Sequence, residues 1–404
     1  MNELESLPAV PQTQRITLDQ ALQTAFHGNP VVQISQHQVA GAKANLYGQS
    51  KPLNLTLSYA GLNNTVGTTS FGDTKNYDVY ATIETSGRLG IRTRQARAQL
   101  GAAEADAETA RQTLRESVAN AYIDLQVADS ALANEEASYE AAQKLCDLTD
   151  KQFKLGSAPE TNAIRGQVAL TEERQNLLKA ISTVQVARAN LNLQMGRATD
   201  EPVDAVDSLE LKPVEVNLKA LQDQSLRSRP EIRSAESTIG TLKASVDLQR
   251  SQYFPDVVIG EQFDGMVGVG ISMPLFDFGS IKGSIRQAKE AVKTQQAQTD
   301  QVRQSVLLDD ETAYLALVQA QKTVETFQDG ILPRTESLLK KVEQGYALGA
   351  STILDLIDAQ QTFRDTHNNY YAALGDYRRA IVQIERAAGS PVSTLTNRGT
   401  ENGH

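Results

Sequence analysis

The chain is poor in the residues that fill thick globular cores and in those that build disulfide or metal centres. It has no Trp, 9 Phe and 12 Tyr in 404 residues, and aromatics make up only 5%. So little aromatic volume argues against several thick cores. A single cysteine, Cys146, excludes an intrachain disulfide and any multi-cysteine metal site. It falls inside a helical pattern from Ala141 to Asp150 and reads as a small hydrophobe in a helix seam. There is no basic excess: 39 Lys and Arg against 49 Asp and Glu give a formal charge of −10. Nucleic acid is therefore not expected as a partner, since no surplus cations exist to displace phosphate counterions. No run of 18 apolar residues occurs, so no transmembrane helix is encoded. The four histidines, His27, His37, His367 and His404, show no paired-ligand spacing, and no Gly-rich phosphate loop is present. No metal, cofactor or catalytic residue is predicted, and the chain is not read as an enzyme. The opening Met1-Asn2-Glu3-Leu4-Glu5-Ser6 lacks the basic and apolar regions of a signal peptide. That leaves a cytoplasmic protein or the exported part of a precursor.

What is present is Ala, Leu and Val, suited to long packed helices, and an internal duplication. Ser86-Gly87, Arg94-Gln95-Ala96 and Ala121-Tyr122 recur 192 positions later as Phe278-Gly279, Arg286-Gln287-Ala288 and Ala313-Tyr314. Phe153-Lys154-Leu155-Gly156 and Met195-Gly196 recur 193 positions later as Tyr346-Ala347-Leu348-Gly349 and Ala388-Gly389. We therefore divide the chain into a first repeat at 15–196, a linker at 197–217, a second repeat at 218–389 and a tail at 390–404. Each repeat begins with a short helix, opened in the first copy by the capping box Thr17-Leu18-Asp19-Gln20. A second helix starts at Pro30 or Pro230. Two strand-like runs follow, then a very long helix, a Gly turn and a returning helix.

The first long helix, free of proline from Arg88 to about Lys151, would reach roughly 100 Å. In the second copy Val302, Val306, Ala313, Leu317, Ala320, Val324, Phe327 and Ile331 form a stripe at 3/4 spacing that Asp309 interrupts. Gly330 and Pro333 should break or kink that helix, whereas the first copy has Ala141 at the place matching Pro333. The acidic run Asp309-Asp310-Glu311 is expected to be solvated or interhelical. Such hairpins indicate a rod or tube.

The strands are predicted at about 53–62, 76–85, 256–263 and 266–273. In the first pair Leu53, Leu55, Leu57 and Tyr59 alternate with Asn54, Thr56 and Ser58, and Asn63 to Asn76 reads as an exposed loop. In the last strand Val267, Val269, Ile271 and Met273 alternate with Gly268, Gly270 and Ser272. This dyad pattern fits a bilayer-spanning barrel strand. It fits equally a soluble sheet with one wet face. Four strands cannot close a spanning barrel, so the membrane reading also requires oligomerisation.

The stretch Val267-Gly268-Val269-Gly270-Ile271-Ser272-Met273-Pro274-Leu275-Phe276-Asp277-Phe278-Gly279 resembles the strand-to-helix signature of TolC-like outer-membrane efflux channels. So do Ile16-Thr17-Leu18-Asp19-Gln20-Ala21-Leu22 and Ile331-Leu332-Pro333, and Leu348 to Gln360 is similar to that family's second hairpin tip. The resemblance covers about residues 15–392. It implies a mainly α fold with a small β part, in which long helical hairpins form a periplasmic tunnel. It further implies a homotrimer whose four strands per chain join into one 12-stranded outer-membrane barrel. The linker at 197–217 and the tail would form an equatorial region.

On that resemblance the protein would be the passive outer-membrane conduit of a tripartite efflux system. Its partners would be a periplasmic adaptor, an inner-membrane transporter and outer-membrane lipid. Asp355 and Asp358 match acidic positions that ring the constriction in relatives and would attract cations, with raised, coupled titration; the alternative is that they are solvated acids at the acid-favouring start of a helix. Tyr346 matches the tyrosine of the family's gate latch, while Ser351 and Asn162 replace that latch's ion pair. The tips Lys154, Leu155, Gly156 and Ser157, and Leu348, Gly349 and Ala350, are candidates for docking the adaptor. Two other readings remain open: a channel for type I protein secretion, and a soluble coiled-coil scaffold, which would not explain the recurring strand pairs.

Overall fold

The computed structural model describes residues 14–51, 55–61, 75–84, 86–207, 209–262, 266–272 and 277–389. The expected loop at 63–76 lies almost wholly outside these residues, as do Pro274-Leu275-Phe276 of the signature and the tail at 390–404. In chain order the elements are β1 (Gln14–Ile16), α1 (Leu18–Gly28), α2 (Pro30–Gln49), β2 (Leu55–Gly61), β3 (Lys75–Ile83), α3 (Arg88–Lys154) and α4 (Glu160–Met195). Then come β4 (Val203–Ala205), α5 (Leu218–Ser228), α6 (Pro230–Ser251), β5 (Asp256–Gln262), β6 (Met266–Ser272) and α7 (Ser280–Thr326). A π-helical turn (Phe327–Ile331), α8 (Leu332–Ala347) and α9 (Ile353–Ala388) complete the described chain. The fold is mainly α with a small β part, and its elements recur in the same order in both halves.

The sequence signals act locally as their chemistry requires. Thr17 Oγ1 accepts from the Gln20 amide at 3.3 Å while the Gln20 side chain accepts from the Thr17 amide at 2.9 Å, closing the capping box of α1. Asp277 of the signature caps α7, its carboxylate accepting from the Gly279 and Ile281 amides at 3.2 and 3.1 Å. Pro30 and Pro230 each begin a helix at the position where a missing amide costs nothing.

Gly330 and Pro333 do not break the second long helix. The chain stays helical through one widened turn, in which the Leu332 amide reaches back to the Phe327 carbonyl. The expected kink is thus a π-turn, and α3 runs 67 residues without one.

Tertiary contacts divide the chain into two compact units: Met1–Gln33, Ala110–Arg229 and Val306–His404 form one, and Ile34–Thr109 with Pro230–Ser305 form the other. Each unit draws on both sequence repeats, so the duplication is a plan of elements and not a pair of separate bodies. The first unit holds two apolar clusters of parallel construction. One surrounds Tyr122, Leu125, Leu191 and Met195; the other surrounds Leu221, Leu374, Tyr377 and Ile384. Short parallel strands β1 and β4 close the first cluster, with Gln14 paired to Val203. The Tyr122 hydroxyl accepts from the Val206 and Asp207 amides just beyond β4, and burial pushes that hydroxyl up to about 12. The second unit holds an antiparallel sheet of order β2-β3-β5-β6. Its register sets Leu57 opposite Val79, Ala81 opposite Ile259 and Ile259 opposite Val269.

Candidate functional site

The two hairpin tips close by the same geometry. Gly156 and Gly349 take φ values of +70° and +74°, which an L side chain resists. The Ser157 amide then donates to the Gln152 carbonyl at 2.9 Å, and the Ala350 amide to the Gly345 carbonyl at 2.7 Å. These six-to-one bonds satisfy carbonyls left free where α3 and α8 end. Each turn exposes a leucine, Leu155 at 82% and Leu348 at 85%. Lys154 is exposed beside them and pairs with Asp150 at 2.8 Å. The Ser157 hydroxyl donates to the Gln152 carbonyl at 2.9 Å.

Both tips belong to the first unit, and Tyr346 joins them. Its hydroxyl donates to Gln152 Oε1 at 3.2 Å, across from α8 to α3, and burial raises its pKa. The ring packs against a small apolar cluster of Leu145, Ile353 and Leu356. Ser351 and Asn162 carry no charge, so the polar tie described here at the tips is neutral.

Asp355 and Asp358 lie in the opening turns of α9, both exposed and spaced to share one helix face. Asp355 completes a capping box: it accepts from the Thr352 amide and hydroxyl, each at 2.8 Å. Those bonds hold its carboxyl below the usual range. The expectation of raised, coupled titration concerns the carboxylate rings of an assembled trimer. The same residue serves as a helix cap and faces solvent at the hairpin's end.

Sequence reasoning missed a largely covered charged group on α9. Arg364 pairs with Glu173 of α4 and adjacent Asp365, and lies 4.0 Å from Glu135 of α3. Asn134 donates to the Arg364 carbonyl at 2.9 Å, and Asn368 donates to Glu135 at 2.7 Å. Burial, partly offset by these bonds, raises the Glu135 carboxyl. The partners stand 191 to 234 positions apart in sequence. No local spacing announces them.

Among the described residues, the sheet of the second unit pairs β2 and β6 on one side only. Val269 and Ile271 of β6 are exposed at 71% and 72%, alternating with glycines. Among the described residues no helix is long and apolar enough to cross a membrane.

Comparison with known proteins bears on this geometry. A family model described as outer membrane efflux protein matches residues 21–197 and 221–390. The cobalt-zinc-cadmium resistance protein CzcC of Cupriavidus metallidurans is 23% identical over 318 residues, covering 76% of this chain and 75% of that protein. The outer membrane protein TolC of Salmonella enteritidis is 25% identical over 310 residues, covering 70% of this chain but 62% of TolC, so less than two thirds of its length is spanned. Among solved structures, the CmeC outer membrane channel of Campylobacter jejuni superposes with a TM-score of 0.79 at 16% identity, over 100% of this chain and 95% of that one.

Proposed function

This chain belongs to the outer membrane efflux protein family and is an outer-membrane channel protein of efflux; from that premise we propose that three copies assemble into one passive conduit. The observation that carries this reading is the sheet with two open edges. Its unpaired backbone groups cannot stay unsatisfied in hydrocarbon. Joining β6 of one copy to β2 of the next, three times over, closes a barrel without an edge. Val269 and Ile271 then meet lipid, and their glycine neighbours face the lumen. The long helices form the periplasmic tunnel, and residues 197–217 belong to its equatorial region.

The second tip forms the periplasmic entrance. Three copies of Asp355 and Asp358 bring their carboxylates around one axis, favouring cations over anions. Tyr346 ties the entrance shut by its bond to Gln152. The exposed turns, Leu155 with Lys154, Gly156 and Ser157, and Leu348 with Gly349 and Ala350, dock a periplasmic adaptor. The adaptor links the conduit to an inner-membrane transporter that supplies the energy and selects the cargo.

Two measurements test this. Detergent-solubilised protein should have the mass of a trimer by light scattering; a monodisperse monomer at high concentration overturns the assembly. In planar bilayers the Asp355→Ala/Asp358→Ala variant should lose most of its cation preference. Unchanged selectivity would place these carboxylates away from the pore.

A further inference from the structure

We propose that Arg364 is a positioning residue for the channel entrance, clamping α9 onto the α3–α4 hairpin and so fixing where Asp355 and Asp358 stand. The proposal rests on the entrance assignment above but is carried by its own geometry. Through Arg364, α9 engages both helices of the other hairpin. Its guanidinium pairs with Glu173 of α4 and approaches Glu135 of α3, while its carbonyl accepts from Asn134 of α3 at 2.9 Å. Asn368, one turn further along α9, repeats the link through Glu135 at 2.7 Å and accepts from Asn134 at 2.8 Å.

Burial separates this group from the other charged ties on α9. Side-chain exposure is 13% for Arg364 and 10% for Glu173. Arg379–Asp124 stands at 30% and 49%, where water screens a pair strongly. A guanidinium largely covered between two carboxylates loses more when one partner is removed, because an unpaired charge remains mostly shielded from water. The clamp therefore works as a two-state fastener: seated, it holds the start of α9 against α3 and α4; released, all its members must be rehydrated together. Arg364 and Glu135 themselves line a groove of about 260 Å³ together with Lys179, Asn176 and Asp365, which gives water a route to the released groups.

The test uses the full-length trimer. Arg364→Gln and Glu173→Gln should each raise the open-time fraction of single channels by about five-fold or more, the lower end of common coupling strengths. Arg364→Lys, which keeps the charge but not the fork, should fall between them and the parent. Arg379→Gln should leave gating unchanged. Hydrogen exchange supplies a readout that needs no conductance: amides at 353–363 should lose protection in Arg364→Gln and Glu173→Gln while the far half of α4 keeps it. If the parent forms no channel yet these amides deprotect, the entrance assignment falls and the clamp stands. Unchanged gating and exchange in both variants, or loss of protection throughout the molecule, overturns the clamp.

Discussion

The two apolar clusters of the first unit are copies of one plan, yet they differ at one matched site. In the first repeat the site is apolar: Ala25 and Val118 are buried in the same cluster, and Asn29 stands just before Pro30. Asn29 caps α2 by accepting from the Val31 amide at 2.9 Å, and donates to the Gln194 carbonyl at 2.8 Å. In the second repeat the corresponding residues are Ser225, Asp310 and Arg229. The Ser225 hydroxyl contacts Asp310 at 3.1 Å and the Ala387 carbonyl at 2.8 Å. Arg229, just before Pro230, lies 4.0 Å from Asp310 and 3.7 Å from Asp309. Asp310 is 0% exposed, and burial pushes its carboxyl up to about 6. The backbone plan thus accommodates both an oily and an ionic filling.

The largest effect comes from mixing the two fillings. Val118→Asp alone buries a carboxylate with no cation beside it and should cost at least about 3–5 kcal/mol of unfolding free energy. Denaturant titration of helical content measures it. Adding Ala25→Ser and Asn29→Arg to the same variant should recover most of the loss. If the triple variant is as unstable as the single one, the two sites are not interchangeable and the surrounding helices decide the filling.

A smaller effect, of the opposite sign, follows at Asp310. Its pKa is about 6 when folded and near 3.9 when unfolded, so the folded state binds the extra proton. The stability linked to this group is present below the unfolded value and is lost as pH rises through about 6. Asp310→Asn removes the buried charge while its amide oxygen still accepts from Ser225. At pH 8 the variant should be more stable by about 1–3 kcal/mol, and near pH 4 the gain should shrink towards zero. Arg229 keeps Asp309 at 3.7 Å in either case. A variant less stable at every pH would mean that the attraction to Arg229 outweighs the desolvation of Asp310.

These residues also mark where sequence alone stops. Helix starts and ends were legible because they rest on near neighbours: Thr17 with Gln20, Pro30 and Pro230 at starts, and the glycines at 156 and 349 after ends. The strands were legible because alternation is local, and the register of β5 on β6 follows from a short hairpin. The acidic run at 309–311 showed only as solvated or interhelical; the structure splits it, Asp309 exposed and Asp310 sealed beside Ser225. The three-residue strands β1 and β4 were missed, since three residues carry no period and the pairing joins Gln14 to Val203. The same limit hid Arg364, whose meaning depends on Glu173 and Glu135 in helices that approach it only on folding. Asp355 was read both as a pore charge and as part of a helix start. The subunit shows the second directly, and the first depends on assembly.

The long helices offer the finest contrast. Landmarks before the π-turn, such as Tyr122 and Tyr314, are separated by 192 positions, whereas those after it, Gly156 and Gly349, are separated by 193. The second copy is therefore one residue longer between them, and the widened turn at Phe327–Ile331 is where its helix absorbs the extra residue. An extra residue in an unbroken α-helix would rotate everything beyond it by about 100°, turning its apolar stripe away from its partner. A single π-turn takes up that rotation locally. Deleting Gly330 should then convert the turn to α-helix and leave α8 in register, changing stability by no more than about 1 kcal/mol. Phe327 and Gln328 precede the deletion, so their contacts with Tyr370, a ring separation of 6.3 Å and a hydrogen bond of 2.9 Å, should survive. Deleting Ala320 from α7 instead should cost several times more, because no widened turn lies there to restore the phase. Equal losses from the two deletions would show that the turn is held by its own sequence and does not compensate an insertion.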